Sequence, residues 1–261
     1  MRSADNKPFI YENNQIVETI CQLRFPAILS IDTREPADFQ ETVREEYPRY
    51  TCREETQPTQ NGAGKTTKNH SFISEDGRWK LNLTRDFIAL STVSYGGWES
   101  FAHRLDSALS SFIQIYKPAF FERVGLRYLN GISREKLGLT DCRWNDLLQS
   151  KYLGVLDDDA VDESSVAKCA VDVERKLDGR CSMKLHAGPG TIRRAMRTDK
   201  GLQTVQEPET RFILDMDLYA GGKIPLSDVA ETLESLHAHA DRLFSDAITD
   251  TLHNAMSPVE L

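Results

Sequence analysis

Glu122-Arg123-Val124-Gly125-Leu126-Arg127-Tyr128-Leu129-Asn130 decides how this chain folds. Val124, Leu126 and Tyr128 alternate with Arg123, Gly125 and Arg127, so residues 120–132 read as a strand with one apolar and one polar face. Such alternation marks an antiparallel sheet covered on one side only. The neighbouring segment supplies the cover. Residues 99–116 set Phe101, Leu105, Leu109, Phe112, Ile113 and Tyr116 on one stripe at 3.6 spacing, and Pro118 stops the helix.

Further upstream, residues 16–25 alternate as a strand, and Phe39, Val43 and Tyr47 space out a short helix over 36–47 that Pro48 ends. Tyr50 and Cys52 begin a second strand, and the polar residues 54–69 read as a loop. His70 to Ser74, then Trp79, Leu81 and Leu83, then residues 87–95 predict further strands, the last two joined by a tight Arg85-Asp86 connection. Downstream, residues 140–148 predict a short helix capped by Thr140 or Asp141, and residues 166–175 and 180–186 predict strands around an Asp178-Gly179 turn. Residues 188–208 show no pattern, residues 211–219 alternate again, and Ser227 opens a helix whose stripe runs from Val229 to Leu252. The class is α+β, mainly antiparallel sheet with helices on one side.

Two strings recur in the same order. Asp76-Gly77-Arg78 precedes a strand segment that ends in Tyr95-Gly96-Gly97 and a helix; Asp178-Gly179-Arg180 precedes one that ends in Tyr219-Ala220-Gly221-Gly222 and a helix. Residues 1–150 and 151–261 therefore read as two halves, each sheet then helix, within one compact unit; whether they are a tandem of related halves stays open.

Composition narrows the setting. With 39% hydrophobic and 28% charged residues in 261, the chain is an ordinary globular protein. Five dispersed cysteines without a Cys-x-x-Cys pair predict reduced thiols. Residues 1–11 lack the apolar centre of a signal peptide, and no apolar run approaches the roughly 20 residues of a membrane helix, so the expected location is the cytoplasm, with no membrane partner. A net charge of −8 disfavours non-specific nucleic-acid binding.

Strings that look like chemistry are incomplete. Asn61-Gly62-Ala63-Gly64-Lys65-Thr66-Thr67 echoes a phosphate-binding loop, but Thr59 replaces its first glycine and no apolar strand leads into it, so it reads as a surface loop. Asp215 and Asp217 share a strand face and suggest magnesium, yet no third carboxylate is identifiable, and a polar solvent face explains them. His237 and Asp241 share a helix face that His239 does not, which predicts a solvated helix surface and no zinc site. No triad, nucleophile elbow, metal site or cofactor motif is recognisable. Two clusters remain as ligand-binding candidates. Arg193, Arg194 and Arg197, with Lys200, are the densest positive run; Arg123, Arg127, Tyr128 and Asn130 lie on the deciding strand, with Gly125 leaving room for a ligand between the arginines.

That strand, with Leu90-Ser91-Thr92-Val93-Ser94-Tyr95-Gly96-Gly97-Trp98-Glu99-Ser100-Phe101 before it, resembles a sporadically distributed family of uncharacterised prokaryotic proteins of about this length. Ile16-Val17-Glu18 with Phe25-Pro26 looks like that family's opening strand, and residues 244–252 look like its closing helix. The resemblance implies no activity; patchy distribution implies an accessory role such as antiviral defence. The function expected is a non-enzymatic binding protein with a protein partner or a homodimer. A metal-dependent enzyme on phosphodiesters using Asp215 and Asp217, and a nucleic-acid binder using Arg193 to Lys200, are the alternatives.

Overall fold

The computed structural model describes residues 9–57, 65–198 and 201–260. The first run of elements is β1 (Phe9–Tyr11), β2 (Ile16–Arg24), α1 (Ser30–Thr33), α2 (Ala37–Val43), β3 (Arg49–Gln57), β4 (Lys65–Ile73), β5 (Trp79–Leu83), β6 (Phe87–Thr92) and α3 (Trp98–Tyr116). The second is β7 (Phe121–Ile132), α4 (Arg134–Leu137), α5 (Trp144–Leu147), β8 (Val171–Lys176), β9 (Cys181–Gly190), β10 (Arg193–Thr198), β11 (Gly201–Gln206), β12 (Arg211–Ile224), α6 (Val229–Ala247), α7 (Asp250–Ala255) and β13 (Pro258–Glu260).

Nine strands form one antiparallel sheet in the order β3-β4-β5-β6-β2-β7-β12-β9-β8. The protein is α+β, with helices packed beside this sheet. Alternation explains the arrangement: Val124, Leu126 and Tyr128 of β7 are buried, whereas Arg123 and Arg127 are only partly covered. The α3 side chains Phe101 and Phe112 meet Trp79 and Phe25 at ring separations of 5.8 and 4.8 Å. Helix α6 packs on β7 and β12 through Val229, Leu233, Leu236 and Ala240.

Both runs have the order opening strand, short helices, antiparallel strands and a long helix, and α3 and α6 each span 19 residues. The opening strands β2 and β7 pair with each other, Cys21 opposite Leu126, and each also pairs with the last strand of its own run, β6 or β12. The recurring Asp-Gly-Arg strings occupy the β4–β5 and β8–β9 turns, where Gly77 and Gly179 take φ of +72° and +50°, a region that side chains disfavour.

Polar strands account for most departures from expectation. Residues 54–69 are not a loop throughout: β3 reaches Gln57 and β4 begins at Lys65. Because β4 meets β5 only from His70 to Ile73, the rest of that hairpin has no second partner strand, and its residues show no alternation in the sequence. Residues 188–208 likewise contain the end of β9 and the β10–β11 hairpin, whose strands pair only with each other. The C-terminal helix breaks at Ile248, where Thr249 caps α7 by accepting the Leu252 N–H at 3.4 Å. Helix α5 is likewise not capped by Thr140 or Asp141: Arg143 is its N-cap, and Asp146 accepts the Arg143 N–H at 2.8 Å. Among the described residues, no helix is long and apolar enough to cross a membrane.

Candidate functional site

Pleating divides the candidate residues of β7 between the two faces of the sheet. Arg123 and Arg127 point to the open face, where they meet the acids of β12. Arg127 Nε donates to Asp215 Oδ1 at 2.7 Å, and Arg123 Nη2 donates to Asp217 Oδ1 at 2.9 Å. Arg123 also lies over the Tyr219 ring, 4.7 Å from its centroid. Gly125 does leave room, but the Arg123 guanidinium fills it. The two aspartates are thus each taken by an arginine, and no group of three or more potential metal-ligating side chains occurs among the described residues.

Tyr128 and Asn130 face the helices and line a pocket of about 430 Å³, within the roughly 300–1,000 Å³ of small-molecule sites. Its walls come from four places: β7 and β12, the Tyr95-Gly96-Gly97-Trp98-Glu99 turn into α3, one face of α6, and residues 10–16. That last segment is tied down by β1 pairing with β13 and by Tyr11 Oη, 2.9 Å from His253 Nδ1, so the two ends of the described chain close one side.

A chain of polar groups runs through the floor. Tyr128 Oη lies 3.0 Å from His237 Nδ1, Tyr95 Oη lies 3.4 Å from Tyr128 Oη, and His237 Nε2 lies 3.4 Å from Asp241 Oδ2. An ionised carboxylate only accepts, so Nε2 carries the imidazole proton and Nδ1 accepts from Tyr128; Tyr95 must then donate to Tyr128. Trp98 stacks on His237 at 4.4 Å and donates its Nε1–H to Glu234 at 2.9 Å. Asn130, buried, donates to the Leu214 carbonyl at 3.1 Å.

Burial sets the protonation states. It pushes the His237 imidazole below its usual value against the pull of Asp241, Glu234 and Glu99, so the ring is neutral near pH 7. Desolvation lifts the Asp241 carboxyl, His237 opposes this and the Glu99 charge adds to it. Both pocket phenols, Tyr95 and Tyr128, are raised by burial and stay protonated. The expectation of a solvated helix surface at His237 is corrected: only 17% of its side chain is exposed. His239 points elsewhere, bonding Asp178 at 2.9 Å, as the helical angle requires.

Arg193 is exposed at the start of β10. The backbones of Arg194 and Arg197 also belong to β10, while their side chains, Lys200 and Asn61 to Gly64 lie outside the described residues; Lys65 to Thr67 belong to β4. Sequence reasoning missed Tyr95, Trp98 and Glu99 as site residues. The available signal was their position in a glycine-containing turn from strand to helix, where a scaffold commonly presents functional side chains.

No family model matches the chain, and no curated protein is significantly similar to it. The site is therefore read from its own geometry.

Proposed function

We propose that the protein is a binding protein that holds a small molecule in the pocket between α6 and β7, and not an enzyme. The observation that carries this reading is the Tyr95–Tyr128–His237–Asp241 chain, whose polar groups are partnered with one another beside an apolar wall that includes Ile16, Met216 and Phe244. The reactive types that line the floor, Tyr95, Tyr128, His237 and Asp241, are engaged with one another. Sites of this composition orient a ligand through few polar contacts and bind it through apolar ones.

The opposite face favours the alternatives less. A metal at Asp215 and Asp217 has to displace two arginines, and phosphate at Arg123 and Arg127 has to displace two carboxylates. A thermal-shift screen of small metabolites tests the choice. Compounds that stabilise the wild type should lose their effect in Ala240→Leu, which narrows the pocket from α6, and keep it in Arg127→Ala. Effects that persist in Ala240→Leu and vanish in Arg127→Ala would place the ligand on the open sheet face and overturn the proposal.

A further inference from the structure

We propose that the pocket takes an organic cation: a small alkylammonium or quaternary ammonium group, enclosed by aromatic rings and drawn in by carboxylates at the rim. This rests on the pocket being the binding site.

Charge is distributed unevenly around the cavity. Five aromatic rings line it, those of Tyr11, Tyr95, Trp98, Tyr128 and Phe244. Three acids line it as well, Glu12, Glu99 and Asp241, and the described lining includes no lysine or arginine. The one basic side chain, His237, is engaged on both nitrogens. Elsewhere the partly buried acids are matched by arginines: Asp32 by Arg85, Glu163 by Arg134, Glu209 by Arg211, and Asp215 and Asp217 on the open face. Around the pocket that matching stops. Among the described residues, Asp241 has only the 3.4 Å ion-pair contact to His237, and neither Glu12 nor Glu99 forms an ion pair.

Each of the three carboxylates is exposed, and alone each would be ordinary solvated surface. What distinguishes them is convergence on a cavity lined by aromatic rings, the setting that favours a soft, weakly hydrated cation; Trp98 is already stacked on His237, which leaves Tyr11, Tyr95, Tyr128 and Phe244 to meet it. The protein's charge of −8 adds a long-range field of the same sign.

An anion is the rival, because the N-terminus of α3 opens at the pocket through Gly97 and Trp98. That helix end supplies about half a positive charge. Glu99 already sits in its first turn, with Oε2 3.7 Å from the Cβ position of Gly97, and Asp241 and Glu12 remain beyond it. Three formal negatives against half a positive decide for the cation.

Choline and its uncharged isostere 3,3-dimethylbutan-1-ol separate the possibilities by calorimetric titration of the full chain, with acetate as the anionic probe. Choline should bind at least about tenfold more tightly than the isostere at low salt. The preference should shrink severalfold in the Glu99→Gln/Asp241→Asn double variant, and Ala240→Leu should abolish binding. Both substitutions in the double variant lie at exposed positions, whereas Ala240 is buried; circular-dichroism melts check the fold of the double variant and of Ala240→Leu, and loss of binding in Ala240→Leu counts only where its melt stays cooperative. Equal binding of choline and the isostere, tighter binding of acetate, or no choline binding overturns the cation assignment. In the first two cases loss in Ala240→Leu leaves the pocket reading standing. Choline binding that survives Ala240→Leu overturns both.

Discussion

Tyr128 of the central strand donates its Oη–H to Nδ1 of His237 on the long C-terminal helix across 3.0 Å. This bond joins the two layers of the fold at the floor of the pocket, and Trp98 holds the imidazole in place by stacking on it. Phenylalanine at position 128 fills the same space but leaves Nδ1 without its donor and Tyr95 without its acceptor. An unpaired buried polar group costs about 1–3 kcal/mol. Because 17% of the His237 side chain is exposed, water can reach it and the lower end applies. Tyr128→Phe should therefore lower the unfolding free energy by about 1 kcal/mol in urea titrations; no change would show that the bond does not form in solution.

Acid should weaken the fold through two histidines. His237 and His70 are both held below the usual 6.5 by burial. The unfolded chain then binds more protons than the folded one as pH falls through 6.5, so stability present above that pH is lost towards the folded values. Asp241, raised above 3.8, works in the opposite sense at lower pH, since as pH falls the folded state takes up that proton before the unfolded chain does. Urea midpoints should fall between pH 7 and pH 5, and less steeply in His237→Gln. An unchanged slope in that variant would contradict the burial of the imidazole.

Two glycines on the sheet should respond unequally to alanine. At Gly125 the added methyl meets the Arg123 guanidinium, the free end of a flexible side chain. Swinging it aside weakens the partly exposed Asp217 pair and the contact with Tyr219, a loss of about 0.5–1 kcal/mol. At Gly188 the methyl meets the Cys169 carbonyl and lies 3.0 Å from Ala170 Cα, which cannot yield without moving the chain. Overpacking of that kind costs about 1–3 kcal/mol. Chemical denaturation should rank Gly188→Ala as the more destabilising; the reverse order would mean that the close approach at residue 188 is not formed.

The break between α6 and α7 depends on Thr249, whose hydroxyl accepts the Leu252 N–H and donates to the Asp146 carbonyl at 2.7 Å. Thr249→Ala should cost about 1 kcal/mol, the usual worth of such a cap. A melting temperature equal to wild type would argue for one continuous helix.

Whether a segment could be recognised from sequence depended on whether it lay against the core. The faces of β7 and β12 and the stripe of α3 were readable because burial forces alternation or helical spacing. The outer parts of β3 and β4 pair only with each other, as do β10 and β11, so no contact with the rest of the main sheet imposes a pattern on them. Tyr128 and Asn130 were identified, but alongside Arg123 and Arg127, from which the pleat separates them. His237 could not be distinguished from a surface residue because the groups that enclose it, Trp98 and Tyr128, come from distant parts of the chain.

Histidine reporters on both faces of the sheet allow a direct test of where ligand binds. His237 lies at the pocket floor, and His186 pairs with Asp172 at 2.8 Å on β9. In protein labelled with nitrogen-15 at histidine, titration with choline should shift the His237 imidazole resonances to saturation and leave those of His186 in place. Shifts at His186 with His237 unmoved would contradict a binding site between α6 and β7.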